Sequence, residues 1–148
     1  MSVTGFVHVN INCSDFDRSL KFYELLGFQR AIDVPAHNTA EVAAAVGMSP
    51  YTVKGALLIL RNAKMPLMID LLEWQDPSDN EPPYPHLYHL GIARVALATD
   101  DLDSDVAFLK SHGVEFLSEP ATVRIEDQPA SRFVCFKDPD GTTLELVE

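Results

Sequence analysis

Cysteines and long apolar runs are scarce in this chain. It has two cysteines, Cys13 and Cys135, in 148 residues, which is too few for a disulfide scaffold. No apolar run approaches the ~20 residues that a helix needs to span a bilayer. The first residues also lack the basic segment and apolar stretch of a secretory signal. We therefore expect a cytoplasmic protein with no membrane partner and with buried, unpaired cysteines.

Basic residues are also scarce. Lysine and arginine number 11 against 22 aspartates and glutamates, giving a formal net charge of −11. Nucleic-acid-binding proteins and proteins of anionic membrane surfaces need a basic face, so the composition argues against both classes. The acids are scattered, which indicates a well-solvated surface, although attraction for cationic ligands is the alternative. Apolar residues make up 47% of the chain, enough for one packed domain.

An internal repeat is present at an offset of 86 residues. Residues 8–17 match residues 94–103 in physical pattern, and both copies continue without a gap to a glycine, Gly27 or Gly113. Each copy has the pattern of a strand, a helix cap, an amphipathic helix and a terminal glycine. The two copies therefore predict two modules of the same design.

Capping residues stand before both predicted helices. Asp15 or Ser14 is expected to cap the first helix, and Asp100 or Asp101 the second. After the helices, strand-like segments follow at 28–34, 52–60 and 67–74 in the first copy, with a short helix at 39–46. In the second copy they follow at 114–117, 121–125, 132–136 and 142–147.

The order of these elements predicts an α+β fold. Two βαβββ modules pair to form a cupped mixed sheet around a central cavity, where small ligands usually bind. Prolines cluster between the modules. We therefore expect a single domain, 1–148, with module one at 4–74, a linker at 75–88 and module two at 89–148.

Three segments resemble a known family. The first is Asp-Phe-Asp-Arg-Ser-Leu-Lys-Phe-Tyr-Glu-Leu-Leu-Gly-Phe at 15–28, after a strand that carries a histidine. The others are Leu-Gly-Ile-Ala-Arg-Val-Ala-Leu at 90–97 and Phe-Lys-Asp-Pro-Asp-Gly-Thr-Thr-Leu-Glu-Leu at 136–146. They are similar to the opening, middle and closing segments of the vicinal-oxygen-chelate superfamily, which includes glyoxalases, bleomycin-resistance proteins and extradiol dioxygenases. The resemblance implies the paired-module fold, a small-molecule substrate or ligand and a homodimer.

The resemblance also implies a site. Metal-dependent members hold one divalent ion at four positions on the first and last strands of the modules. Those positions here are His8, Asp70, Arg94 and Glu145. Imidazole and carboxylate suit zinc, nickel, manganese or iron, so we predict His8, Asp70 and Glu145 as metal ligands. Glu145 is also the predicted catalytic residue, since a carboxylate there can move a proton.

Arg94 departs from the histidine that the family places at its position. A guanidinium stays protonated and has no lone pair, so it cannot ligate a metal. We expect Arg94 to pair with Glu145 or Asp70 and to supply the positive charge itself. This favours a metal-free or weakly metallated site. Strand alternation places Asn10 on the same face as His8, and Asn10 and Arg94 are the predicted ligand-binding residues.

Two functions are compatible with these residues. The first is a glyoxalase-like lyase or isomerase that acts on a small carbonyl compound, with a degenerate metal site. The alternative is a metal-free ligand-binding protein that sequesters its ligand, as bleomycin-resistance proteins do. We favour the enzyme.

Overall fold

The computed structural model describes residues 2–63, 66–126 and 128–148. It has the predicted α+β fold, in which each of two modules contains a strand, a helix and three further strands. The first module consists of β1 (Val9–Asn12), α1 (Phe16–Leu25), β2 (Gln29–Asp33), the additional short helix α2 (Ala40–Ala45), β3 (Thr52–Ile59) and β4 (Met68–Asp76). The second consists of β5 (Val95–Ala98), α3 (Leu102–Ser111), β6 (Ala121–Val123), β7 (Ser131–Lys137) and β8 (Thr143–Val147).

Each module forms one four-stranded mixed sheet of the same topology. The strand order is β1-β4-β3-β2 in the first sheet and β5-β8-β7-β6 in the second. The first and last strands of each module pair in parallel, and the other neighbours are antiparallel. The last strand of each module therefore lies inside its sheet, with the first strand along one side. This arrangement puts the predicted site positions on neighbouring strands.

The 86-residue offset is kept in the structure. Strand β1 starts at Val9 and β5 at Val95, while α1 starts at Phe16 and α3 at Leu102. Asp15 accepts a hydrogen bond from the Arg18 amide at 2.9 Å, and Asp101 accepts one from Ser104 at 3.0 Å. These aspartates are the helix caps among the predicted alternatives.

Glycines follow both of these helices in the left-handed region. Gly27 has φ 90° and Gly113 has φ 81°, a conformation that costs glycine little. The helix start and the helix end therefore both agree with the sequence pattern.

One face of each sheet packs against its helix and forms the core. In the first module, Phe16 and Tyr23 of α1 are buried with Ile69 and Leu71 of β4. In the second module the buried apolar set is Leu97, Leu102, Val106, Leu109, Val134, Phe136, Leu144 and Leu146. Full burial of each such side chain contributes about 1.5–3 kcal/mol. Because alternate residues of a strand point to opposite faces, the residues between them lie on the face away from the helix.

A glutamate in or just after the last strand of each module accepts a hydrogen bond from the first turn of the helix. Glu73 accepts a hydrogen bond from the Phe16 amide at 2.8 Å, and Glu148 accepts one from the Leu102 amide at 3.3 Å. These amides belong to the first turns of α1 and α3, where no intrahelical acceptor exists. The pair of contacts is repeated between the modules, so both glutamates serve the fold and point to the helix side.

The structure departs from the predicted strands in the second module. Residues 114–117 were expected to form a strand, but they make only an isolated bridge, between Phe116 and Phe136. Two backbone hydrogen bonds to β7 flank this bridge, from the Leu117 amide to the Cys135 carbonyl and from the Lys137 amide to the Glu115 carbonyl. The register then shifts, because strand β6 starts at Ala121, which pairs with Phe133.

The chain divides into two compact units, Met1–Glu81 and Pro82–Glu148. The predicted module and linker bounds stay predictions. The predicted bridge between β3 and β4, residues 61–66, includes residues 64 and 65, which lie outside the described residues. Both cysteines are buried, as predicted. Of the helices described, none is long and apolar enough to cross a membrane.

Candidate functional site

Asp70 and Glu145 occupy equivalent places in the two sheets. Asp70 of β4 pairs with Asn10 of β1, and Glu145 of β8 pairs with Ala96 of β5. Their strand neighbours Ile69, Leu71, Leu144 and Leu146 are buried on the helix side. Both carboxylates therefore lie on the face away from the helix. We call this the site face of each unit.

Three predicted site residues, His8, Asn10 and Asp70, lie near one another in the first unit. His8 lies one residue before β1 and is exposed. The Asn10 side chain donates to the Asp70 carbonyl oxygen at 2.8 Å. Burial raises the pKa of the Asp70 carboxyl, while the nearby His8 lowers it. Asp70 Oδ1 is buried and has no hydrogen-bond partner among the described residues. Asp70 is thus a desolvated acid, a feature that is frequent in functional sites.

The second unit contains an ion pair at the equivalent place. Arg94 Nε contacts Glu145 Oε2 directly, so Arg94 pairs with Glu145, one of the two partners predicted for it. Glu145 is only 7% exposed. The pair is therefore largely desolvated on its acidic side, which strengthens the interaction relative to a surface pair.

Cys135 is a third member of this cluster that the sequence reasoning missed. Its Sγ donates to Glu145 Oε2 at 3.5 Å. Burial raises the pKa of the Cys135 thiol, and the hydrogen bond to Glu145 raises it further. The thiol is thus a donor to the carboxylate rather than a nucleophile.

The turn signal in the sequence did not identify Cys135. Residues 138–141, Asp-Pro-Asp-Gly, indicate a turn, and counting outward from these four residues would pair Cys135 with Leu144. The structure instead has a five-residue connection, 138–142, which pairs Lys137 with Thr143 and Cys135 with Glu145.

The residues present do not fit a complete four-ligand metal centre. In the described parts of the chain, no three histidine, cysteine, aspartate or glutamate side chains are gathered closely enough to hold a metal ion. Arg94 cannot ligate and also contacts Glu145 Oε2. Ligation by His8, Asp70 and Glu145 stays a prediction, as does the gathering of the four positions around one cavity.

Comparison with known proteins identifies the family. A sequence model described as the Glyoxalase/Bleomycin resistance protein/Dioxygenase superfamily matches residues 5–146, nearly the whole chain. The chain belongs to this superfamily.

Two curated bacterial relatives are similar in sequence to this superfamily member. The uncharacterized protein YwkD of Bacillus subtilis is 28% identical over 149 aligned residues, covering 100% of this chain and 99% of that protein. The uncharacterized protein YaeR of Escherichia coli is 41% identical over 58 residues. That alignment spans 39% of this chain and 42%, less than half, of YaeR.

Solved structures of the superfamily share the fold. A glyoxalase family protein from Bacillus cereus superposes with a TM-score of 0.78 at 21% identity, covering 100% of this chain and 95% of that one. The fosfomycin resistance protein FosX from Listeria monocytogenes, solved with Mn(II) and sulfate, gives a TM-score of 0.60 at 16% identity, with 99% and 93% coverage. Some superfamily members therefore bind a divalent metal, while the fold alone does not assign a reaction.

Proposed function

We propose that this protein is a glyoxalase-like enzyme, a lyase or isomerase of a small carbonyl compound that works without a bound metal. The observation that carries the proposal is the ion pair of Arg94 with the buried Glu145. The pair places a proton acceptor and a fixed positive charge side by side. These are the two groups that enolate chemistry needs.

Each group has a separate part in the reaction. The terminal nitrogens of Arg94 donate hydrogen bonds to the substrate carbonyl oxygen. Glu145 takes a proton from the carbon next to that carbonyl, and the electron pair of the C–H bond moves toward the oxygen. The guanidinium stabilises the resulting enolate charge. Return of the proton to another carbon or face completes an isomerisation, whereas departure of a leaving group from the neighbouring carbon completes a lyase reaction.

Exchange of protons for deuterons tests the proposal. The protein is incubated in D₂O that contains a chelator, together with a panel of small aldehydes, ketones and 2-oxo acids. Proton NMR follows the loss of signal from the hydrogen atoms on the carbon next to the carbonyl. We expect exchange that Glu145→Gln abolishes. Glu24→Gln, which changes an exposed glutamate of α1, is the control and keeps the activity.

Two other outcomes would contradict this proposal. Exchange that the chelator abolishes and a divalent ion restores would indicate a metal enzyme that uses His8, Asp70 and Glu145. Tight binding of a compound without any exchange would favour the metal-free ligand-binding alternative.

We also propose that the protein is a cytoplasmic homodimer. Edge strands with free backbone groups invite pairing. Both β2 and β6 lie at sheet edges and are exposed along their whole length. Light scattering at micromolar protein concentration tests this, and a species of only 16.4 kDa, the mass of one chain, would refute the dimer.

A further inference from the structure

The site face of the second unit carries two cations, Arg94 and Lys137. Register and strand alternation place twelve residues there, counting Arg94 just before β5: Arg94, Ala96, Ala98, Ala121, Val123, Ser131, Phe133, Cys135, Lys137, Thr143, Glu145 and Val147. Arg94 and Lys137 are the cations and Glu145 is the anion. The exposed Glu115, whose carbonyl accepts a hydrogen bond from the Lys137 amide beside the Phe116–Phe136 bridge, adds a second carboxylate at the edge of this face. In a chain of net charge −11, whose overall charge repels anions, an anion can be held only where such cations lie close together.

Arg94 keeps most of its hydrogen-bonding capacity. Its Nε, which carries one of the five N–H donors of a guanidinium, contacts Glu145. The Arg94 side chain is partly exposed while Glu145 is buried. The guanidinium is therefore held at Nε by the acid, and its two terminal N–H₂ groups form the planar fork that can bind a carboxylate.

Lys137 supplies the second positive charge. Its Nζ donates to Thr143 Oγ1 at 2.6 Å, and Thr143 is buried on the same face. This contact holds the ammonium in place without neutralising it, since no carboxylate in the described residues forms an ion pair with Lys137. Arg94 and Lys137 both act electrostatically on the Cys135 thiol, so the fields of the two cations overlap at the centre of the face.

Resting on the proposed function, we infer that the substrate is an anion: a small 2-oxo acid whose carboxylate is held by the Arg94 fork and the Lys137 ammonium. A carboxylate matches the fork in shape and charge. In a 2-oxo acid the carbonyl oxygen is the neighbour of the carboxylate. A fork that binds the carboxylate therefore also reaches the oxygen on which the enolate charge develops.

A pair of probes that differ in one charge tests the inference. Pyruvate and methyl pyruvate share the carbonyl and the exchangeable methyl group, but only pyruvate carries a carboxylate. Binding of each is measured by ligand-observed NMR or calorimetry, and methyl exchange is followed in D₂O. We expect pyruvate to bind about ten- to hundredfold more tightly than its ester, the range for a hydrogen-bonded charge. Added salt is expected to weaken the binding of pyruvate alone.

Variants of Arg94 and Lys137 test whether these two residues provide the positive charge that binds the carboxylate. Arg94→Gln is expected to remove the preference for pyruvate, and Arg94→Lys to weaken it because the fork is lost while the charge stays. Lys137→Gln, which leaves the ion pair intact, is expected to reduce the preference about two- to fivefold. Lys110→Gln is the matched control and has no effect, since Lys110 is exposed and paired with Glu119 at 2.7 Å.

The failures of the two proposals are distinguishable. Equal binding of acid and ester, or a preference that survives Lys137→Gln and both Arg94 variants, overturns the inference. If exchange persists in that case, the enzyme proposal stands. Preferential, Arg94-dependent binding of pyruvate without exchange supports the anion site and contradicts the enzyme proposal. Absence of binding by either probe at millimolar concentration overturns the assignment to small 2-oxo acids.

Discussion

Removing one partner of the Arg94–Glu145 pair measures how strongly the second unit depends on it. Arg94→Gln leaves the Glu145 carboxylate, which is 7% exposed, without its cation. Breaking a fully buried pair costs about 3–5 kcal/mol, whereas an exposed pair is worth about 0–1 kcal/mol. The Arg94 side chain is 43% exposed, so the single variant is expected to lose about 1–3 kcal/mol of unfolding free energy. This is less than the cost of breaking a fully buried pair, since only one partner is buried.

A double-mutant cycle isolates the coupling between the two residues. Urea unfolding at pH 7 is followed for Arg94→Gln, Glu145→Gln and the double variant, and the coupling is the part of the two single losses that does not add. We expect about 1–2 kcal/mol, with the double variant more stable than Arg94→Gln because no unpaired charge is left behind.

The exposed pair of Arg30 and Asp33 is the matched control for this cycle. Its Nε and Oδ1 atoms are 2.5 Å apart, and both side chains are well exposed. We expect coupling below about 0.5 kcal/mol for this pair and a strong decrease in salt. Coupling between Arg94 and Glu145 that is no larger than in this control, or equally sensitive to salt, would refute the view that burial strengthens the pair.

Three further predictions concern the remaining residues of the site and its supports. Burial raises the pKa of Asp70, so ionisation of this carboxyl destabilises the folded protein as the pH rises above the pKa of Asp70 in the unfolded chain. Asp70→Asn should therefore stabilise the protein at pH 7 but not in acid, as measured by the midpoint of urea unfolding. Asp79→Asn, at an exposed position, is the control and should show no such change. Arg94→His restores the family's ligand and should gain affinity for nickel, manganese or zinc by calorimetry; sub-micromolar binding by the parent, or no gain in the variant, contradicts the stand-in role of the arginine. Glu73→Ala removes the acceptor for the Phe16 amide and should cost about 1 kcal/mol; an unchanged thermal midpoint argues against this cap.

Local sequence signals predicted the helix and strand pattern of the fold, but they predicted the contacts of the site less completely. Asp15, Asp101, Gly27 and Gly113 determine helix ends through contacts within a few residues of chain, so their pattern is readable from sequence. The ion pair was predicted because the repeat aligned Arg94 with His8. Whether Arg94 would contact Glu145 or Asp70 was left open, since that choice depends on tertiary packing.

Long-range contacts explain the rest of the differences. The role of Glu73 depends on the Phe16 amide, 57 positions away in sequence, and could not be read from its neighbours. The expected strand at 114–117 had suitable residues, yet strand formation also needs a partner along its whole length, and only one bridge forms. Sequence pattern therefore predicted the elements better than it predicted their partners.

Comparison of equivalent positions in the two modules distinguishes contacts that support the fold from contacts that are specific to one site face. On the helix side, Glu73 and Glu148 make the same contact with the first turn of their helices. On the site face the equivalent positions differ, because Asp70 lies opposite Leu57 in its sheet whereas Glu145 lies opposite Cys135. An apolar neighbour offers Asp70 no hydrogen bond, which agrees with its unpartnered oxygen, while Glu145 has a thiol and a guanidinium beside it. Two modules of the same design thus place one desolvated acid and one paired acid at matching positions, and the paired one has the cation that the proposed enolate chemistry requires.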